Sequence, residues 1–266
     1  MGEFVDVVRD GGVARVVMHR NGNNAIAPDL MAELGAAFAE VGADPDCRVV
    51  VLQSAYERYF SVGADLGSMG GVDRSATDAE DRITAMVSDI SAAYGAIEAC
   101  PRPVIARLSG HALGGGCELA LCCDYRVMVE DGRSRIGQTE SALGIMPGGG
   151  GTQRLVRLIG RARALPLMYE STRLSAAEAE AMGLVSRAVP PDGLDPAVDE
   201  LAGRLARSAT VAIGLIKDAV NRGQDRPLEE ALAIEARNFA KAVLSEDAVT
   251  GIVAFFQKAE PEFRGR

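Results

Sequence analysis

The sequence predicts an α/β fold that passes into a helical region at its C-terminus. Three observations carry this expectation. Short apolar runs with strand character alternate with segments of helical spacing over the first 195 residues. Beyond that point the strand-like runs stop, and residues 195–207, 210–222, 227–245 and 246–257 all carry helical patterns. A chain of 266 residues with 48% hydrophobic and 24% charged residues also suits a large, ordinary globular core. We divide it into a core, 1–195, that holds the site and a helical region, 196–266, for packing and assembly.

Residues 3–8 and 13–19 read as strands joined by the turn Asp10-Gly11-Gly12. Leu30, Leu34, Phe38 and Val41 mark an amphipathic helix over 29–41, and Arg-Val-Val-Val-Leu-Gln at 48–53 reads as a buried strand. The longest helical stretch, 77–100, ends at Pro101 and Pro103, because proline cannot continue a helix and restricts its predecessor. Val104 to Leu108 is again strand-like. A glycine cluster, the apolar segment Leu119 to Cys123 and a strand from Tyr125 to Val129 follow. In the C-terminal region, Pro227 stands at a favoured helix start. Leu228, Leu232, Ile234, Phe239 and Val243 give the following helix an apolar stripe, suited either to its own domain or to a neighbour.

Charge narrows the partners. The net charge is −9, and the only lysines are Lys217, Lys241 and Lys258. Nucleic acids and anionic membranes are bound through summed positive charge, so neither is expected as a partner. No apolar run approaches the ~20 residues of a membrane span. The beginning Met-Gly-Glu-Phe-Val-Asp lacks the basic and apolar regions of a signal peptide. The five cysteines, Cys47, Cys100, Cys117, Cys122 and Cys123, include no C-x-x-C pair and read as buried reduced thiols. A cytoplasmic protein is expected.

With only His19 and His111, and no tryptophan, histidine-based metal clusters are not expected. His19 lies within a strand and reads as structural. Neither G-x-x-x-x-G-K-[ST] nor G-x-G-x-x-G occurs.

Three segments remain as candidates for chemistry. The first is Phe60-Ser61-Val62-Gly63-Ala64-Asp65-Leu66, where Gly63 permits close approach and Asp65 is equally a helix cap. The second runs from Ser109 to Ala120. There a strand enters Gly114-Gly115-Gly116 and then an apolar helix carrying Glu118 on its first turn. Unpaired N–H groups at such a helix start suit a developing negative charge; alternatively Glu118 only complements the helix dipole. The third runs from Ile136 to Arg154. Glu140 lies among apolar residues, where burial would raise its pKa, and four glycines precede Thr152, a plausible N-cap of the next helix. An exposed glutamate on a flexible loop fits that segment as well.

Taken together the segments resemble the crotonase, or enoyl-CoA hydratase, family. The motifs that carry the resemblance are Gly-Ala-Asp at 63–65, Ala-Leu-Gly-Gly-Gly-Cys-Glu at 112–118 and Pro-Gly-Gly-Gly-Gly-Thr-Gln-Arg-Leu at 147–155. Arg20 to Ile26 and the ending Glu260-Pro261-Glu262-Phe263-Arg264-Gly265-Arg266 extend it from about residue 3 to 266. Asn21-Gly22 and Val62 depart from the family's usual residues.

The resemblance implies a crotonase (ClpP-like) spiral of repeated ββα units with the C-terminal helices used in assembly. It implies an enoyl-CoA hydratase, adding water to a trans-2-enoyl-CoA to give a 3-hydroxyacyl-CoA. The backbone N–H groups of Ala64 and Gly115 would form the oxyanion hole. Glu118 would activate water, and Glu140 would supply the proton to C2. Substrate contacts fall on Asn24, Ala25, Ile26, Gly63, Asp65, Leu66, Gly114, Pro147 and Gly148, with Phe263 and Arg266 reaching a neighbour's CoA pocket. No metal or other cofactor is implied, coenzyme A being part of the substrate, and a homotrimer or dimer of trimers is expected. A 3,2-enoyl-CoA isomerase is the rival reading within the family, and a non-catalytic CoA-binding subunit the rival outside it.

Overall fold

The computed structural model of the chain describes residues 2–69, 73 and 75–266. An antiparallel hairpin, β1 (Val5–Asp10) and β2 (Val13–Met18), opens the fold and is followed by α1 (Pro28–Ala43). β1 begins two residues later than the apolar run, because the Glu33 carboxylate on α1 accepts the N–H groups of Glu3, Phe4 and Val5. Three consecutive units then repeat one plan. β3 (Val49–Ser54) leads to β4 (Tyr59–Ser61), α2 (Leu66–Met69) and α3 (Ala79–Glu98). β5 (Val104–Leu108) leads to β6 (His111–Leu113) and α4 (Gly115–Leu121). β7 (Tyr125–Val129) leads to β8 (Ile136–Gly137), a 3-10 turn at Glu140–Leu143 and α5 (Gly151–Ile159). α6 (Arg161–Tyr169), α7 (Ala176–Ala181) and β9 (Arg187–Val189) complete the body. The helices α8 (Leu194–Ala206), α9 (Thr210–Gly223), α10 (Leu228–Val243) and α11 (Glu246–Gln257) follow, close to the ranges read from the sequence.

The first strand of each unit enters a six-stranded sheet of order β1-β2-β3-β5-β7-β9, parallel except for the opening hairpin. The second strand of each unit enters a small parallel sheet, β4-β6-β8. This is the repeated ββα spiral. It explains why the central strands are continuous apolar runs: a parallel strand covered on both faces has no polar side to show. One face packs on α1 and the inner helices through Val50, Leu52, Ala106, Leu108 and Met128. The other face, Val49, Val51, Ile105, Val127 and Val129, packs on Leu194, Ala197, Val198 and Ala202 of α8. Those four recur at helical spacing, so one side of α8 is committed to the sheet.

The construction matters for the site because strands of the small sheet deliver three chain segments side by side. β4 leads into Gly63-Ala64, β6 into Gly114-Gly115, and β8 into Glu140. The pairing β4·β6·β8 therefore brings together residues 25 to 77 positions apart in the chain.

Candidate active site

Gly63 is where the first two segments meet. Its φ of +96° lies in the region that disfavours a side chain, and a Cβ there would stand 2.8 Å from the Leu113 carbonyl oxygen and 3.3 Å from the Gly115 nitrogen. Only glycine lets the chain pass this close. The next residue, Ala64, forms a single parallel bridge with Ile26: Ile26 N–H donates to the Gly63 carbonyl (2.7 Å) and Asp65 N–H donates to the Ile26 carbonyl (2.8 Å). In a parallel bridge the residue between those two bonds turns its own N–H and C=O the other way. Ala64 thus presents its N–H away from Ile26, beside Gly115, whose N–H begins α4 and has no partner within that helix. Among the described residues neither N–H meets a protein acceptor.

The segment from Arg20 to Ile26 secures this loop. Arg20 donates to the Ala25 carbonyl (3.2 Å), to Asp65 (3.1 Å) and to Asp29 (3.1 Å). Asp65 also accepts from the Gly67 N–H, so it does cap the short α2. Asn24 is fully buried. It accepts the Arg20 N–H, and its amide donates to Ser54 Oγ and to the Phe60 carbonyl.

Glu118, on α4, is 4% exposed and accepts the Gly151 N–H at 2.7 Å. Burial pushes its pKa up. The N–H groups of Gly151 and Gly149 and the Arg154 charge oppose that rise. The glycine run is room for this carboxylate. A Cβ on Gly149 would collide with the Tyr94 ring and lie 2.8 Å from Glu118 Oε2; one on Gly151 would lie 2.9 Å from Glu118 Oε1. Arg154 braces the run by donating to the Gly149 carbonyl (2.9 Å) while pairing with Glu98 of α3. Thr152, expected as the N-cap of α5, is not: Gly150 takes that position at φ +105°, one residue before the helix starts at Gly151. The physical reason is that the chain turns into α5 through a left-handed conformation that a β-branched side chain disfavours.

Glu140 opens the 3-10 turn after β8 and is 8% exposed. Burial, with the Glu118 charge adding to it, raises its pKa to about 7, against the hydrogen bonds of its own and the Thr139 N–H. With its nitrogen turned toward the carboxylate, the fully buried Gln138 amide reaches both Glu140 oxygens, at 3.1 and 3.2 Å.

Both carboxylates, Ala64 and Gly115 line one chamber of about 730 Å³, within the usual range for a small-molecule site. Ile26, Pro147 and Gly148 line it too. Of the other residues singled out from the sequence, Asn24, Ala25, Gly63, Asp65, Leu66 and Gly114 stand outside its wall. Asn24 and Gly63 act from behind it; Leu66 is exposed. Phe263 lies against Gly251 of α11, and its carbonyl accepts from Arg48. Much of the remaining wall is apolar and comes from α3, through Ile83, Met86, Val87 and Ile90, together with Ile145 and Met146. Chemically, the arrangement offers two outward N–H donors for an anionic oxygen and two buried carboxylates, both held above the usual carboxylate range by burial, beside an apolar recess. Among the described residues no cluster of His, Cys, Asp and Glu is placed to hold a metal ion. No helix of the described chain is long and apolar enough to cross a membrane.

Sequence reading missed Tyr94, Gln138 and Arg154. Tyr94 is fully buried, donates to the Gly115 carbonyl at 2.7 Å and abuts the glycine run. Its only signal was a polar tip in a helix, which marks no function. Gln138 and Arg154 stood within quoted motifs, but their partners are visible only once the chain is folded.

The family model described as enoyl-CoA hydratase/isomerase matches residues 9–266. A probable enoyl-CoA hydratase of Mycobacterium tuberculosis is 37% identical over 99% of both chains. The crotonyl-CoA hydratase of Syntrophomonas wolfei is 37% identical over 90% of this chain and 89% of that one. The crystal structure of an enoyl-CoA hydratase from Geobacillus kaustophilus superposes with a TM-score of 0.92 at 35% identity, covering 100% of this chain and 98% of the other. The chain belongs to the enoyl-CoA hydratase/isomerase family and has the crotonase fold.

Proposed function

From that membership, we propose that the protein is an enoyl-CoA hydratase, a hydro-lyase that adds water reversibly to a trans-2-enoyl-CoA and yields a 3-hydroxyacyl-CoA. The observation that carries the reading is the pair of buried glutamates lining one chamber with two outward backbone N–H groups. The thioester carbonyl accepts the N–H groups of Ala64 and Gly115, which act as the oxyanion hole. Attack at C3 places negative charge on that oxygen as the enolate forms, and fixed donors stabilise it most in the transition state.

The unequal environments divide the acid/base work. Glu118 accepts a backbone N–H, which favours its ionised form. It takes the proton from the attacking water. Glu140, with a pKa near 7, holds a proton at neutrality often enough to deliver it to C2. The two titrate as a coupled pair, so protonation of one favours ionisation of the other. The reaction needs no metal or redox cofactor, and coenzyme A enters as part of the substrate.

The apolar faces of α9 to α11 support assembly into a homotrimer or dimer of trimers. Leu228, Leu232, Phe239 and Val243 are exposed, and only Ile234 of the stripe is buried. With a net charge of −9 and the apolar chamber, the reading places acyl-CoA, not nucleic acid or membrane, as the partner, in the cytoplasm.

The test is turnover of crotonyl-CoA in ¹⁸O-water. Loss of the enoyl thioester absorbance with one ¹⁸O at C3 of the product is the expected result. Conversion of 3-enoyl-CoA without hydration of crotonyl-CoA would replace the hydratase reading with the isomerase one. Binding without either reaction would leave a CoA-binding subunit.

A further inference from the structure

One of the two outward N–H groups sits in a run of three glycines with no side chain to hold it. Gly114 stands at φ +52° and ψ −124°, a conformation suited to glycine, and Gly115 and Gly116 follow it into α4. The Gly115 N–H therefore takes its direction from whatever grips the peptides on either side of its Cα. On one side the Gly114 carbonyl accepts the Glu118 N–H at 3.0 Å, a bond within the helix start itself. On the other the Gly115 carbonyl accepts the Tyr94 hydroxyl at 2.7 Å, a tie that comes from α3.

Tyr94 is fully buried and stands at the chamber wall. A Cβ built on Gly115 would lie 3.5 Å from the Tyr94 hydroxyl oxygen and 3.5 Å from the Ala64 nitrogen, so the hydroxyl and both donor residues surround one point. The Tyr94 ring packs against Gly149, whose N–H favours the ionised form of Glu118. One side chain thus spans the two outward N–H groups and the bed of the carboxylate. Burial, with the Glu118 carboxylate adding to it, pushes the phenol well above its ordinary pKa, so it remains a donor at neutral pH. Its single proton goes to the Gly115 carbonyl, so it is no third donor to a substrate.

We propose that Tyr94 is a positioning residue of the oxyanion hole: by holding the Gly115 carbonyl, its hydroxyl fixes the direction of the Gly115 N–H toward the thioester oxygen. This rests on the reading of Ala64 and Gly115 as the hole for an acyl-CoA thioester. A donor already aimed costs no reorganisation when charge develops on that oxygen. A loosened donor still allows the ground state to bind and loses most of its effect in the transition state.

Two variants separate the hydroxyl from the packing of α3. Tyr94→Phe keeps the ring against Gly149 and deletes only the hydroxyl. Ile97→Ala, three residues further along α3, removes a fully buried side chain that stands outside the chamber wall and leaves the hydroxyl in place. The measurements are kcat and KM for crotonyl-CoA, the affinity for unreactive butyryl-CoA by calorimetry, and the infrared carbonyl stretch of bound [1-¹³C]butyryl-CoA. That stretch moves to lower wavenumber as the donors polarise the thioester.

Tyr94→Phe is expected to lower kcat ~10-fold, less than the ~10²–10³-fold that follows outright loss of an oxyanion-hole donor, with KM and butyryl-CoA affinity within about 2-fold of the parent. The carbonyl downshift should shrink in step. Ile97→Ala should melt at a lower temperature than Tyr94→Phe, because it leaves a cavity, and yet keep the parent's downshift and kcat within about 3-fold. A parent-like kcat and downshift in Tyr94→Phe would overturn the assignment. So would losses in both variants that follow their melting temperatures, or a raised KM at constant kcat in Tyr94→Phe. No downshift in the parent would remove the hole and this role with it. A parent that polarises butyryl-CoA and fails to hydrate crotonyl-CoA counts against the hydratase reading alone, because the infrared comparison still decides Tyr94.

Discussion

The body of the molecule and its last three helices use apolar residues in opposite ways. In β3, β5 and β7 nearly every side chain is buried, and the inner helices close over them. In α9, α10 and α11 the large apolar residues point outward: Ile216, Leu228, Phe239 and Leu244 are exposed, and Phe255 and Phe256 are 78% and 79% exposed. Their buried positions are small or polar, namely Thr210, Gly223, Asn238, Asp247 and Ala254, with Ile234 the exception. A monomer rarely leaves so many large apolar side chains exposed on a few successive helices without a use for them. The body is finished by its own packing, and the terminal helices carry a surface suited to a second copy. The difference teaches that apolar periodicity reports a face to be covered and says nothing about what covers it.

If chemistry resides in the body and assembly in the tail, each can be broken alone. The largest effect is expected from Glu118→Gln and Glu140→Gln. On the proposed mechanism each removes a proton-transfer group and should lower kcat for hydration by ~10²–10⁴-fold, with the sedimentation profile unchanged. Loss of assembly in either variant would mean that the site and the tail are not separable.

Conversely, Phe255→Asp combined with Phe256→Asp should weaken self-association. An apolar side chain of this size contributes about 1.5–3 kcal/mol when buried, or roughly 10–100-fold in Kd for each. Sedimentation of the double variant at falling concentration measures this. An unchanged mass across the whole range would remove these rings from any interface.

Within the body, Gly149→Ala should be more damaging than its single carbon suggests. The new Cβ must displace the Tyr94 ring or the Glu118 carboxylate, so a stability loss of about 1–3 kcal/mol is expected together with reduced turnover. An alanine at Gly95 serves as the control, because nothing lies within 4 Å of its Cβ. Equal melting temperatures for the two variants would contradict the tight fit.

The smallest effect concerns pH. The pKa of Glu140 is raised by folding to about 7, so the folded state holds this proton more firmly than the unfolded chain, in which it leaves in the ordinary glutamate range. Its favourable contribution is complete below that ordinary range and is lost as pH rises through about 7. Glu140→Gln cannot ionise, so its melting temperature relative to the parent should rise between pH 5 and pH 8. A constant difference across that window would place Glu140 in a less desolvated setting than its burial indicates.

Much of this was legible in the residues themselves. The strands at 104–108 and 125–129 were read with their ends in place, because a doubly covered strand must be a short apolar run bounded by turn residues. Glu118 and Glu140 stood out through the glycines around them. Thr152 was misread as a cap because local propensity favours it, while the actual turn required glycine at 150.

By itself, then, the sequence determined the order of strands and helices, the break in character near residue 195 and the motifs that hold the chemistry, since each depends on neighbours close along the chain. Only the tertiary structure decided that Ala64 and Gly115 would stand side by side, that Glu140 would be starved of water enough to hold a proton near neutrality, that Tyr94 would brace the Gly115 carbonyl, and which faces of α9 to α11 would stay bare. Proximity between distant segments, desolvation and exposure come from the packing of the whole chain. No local spacing of residues encodes them.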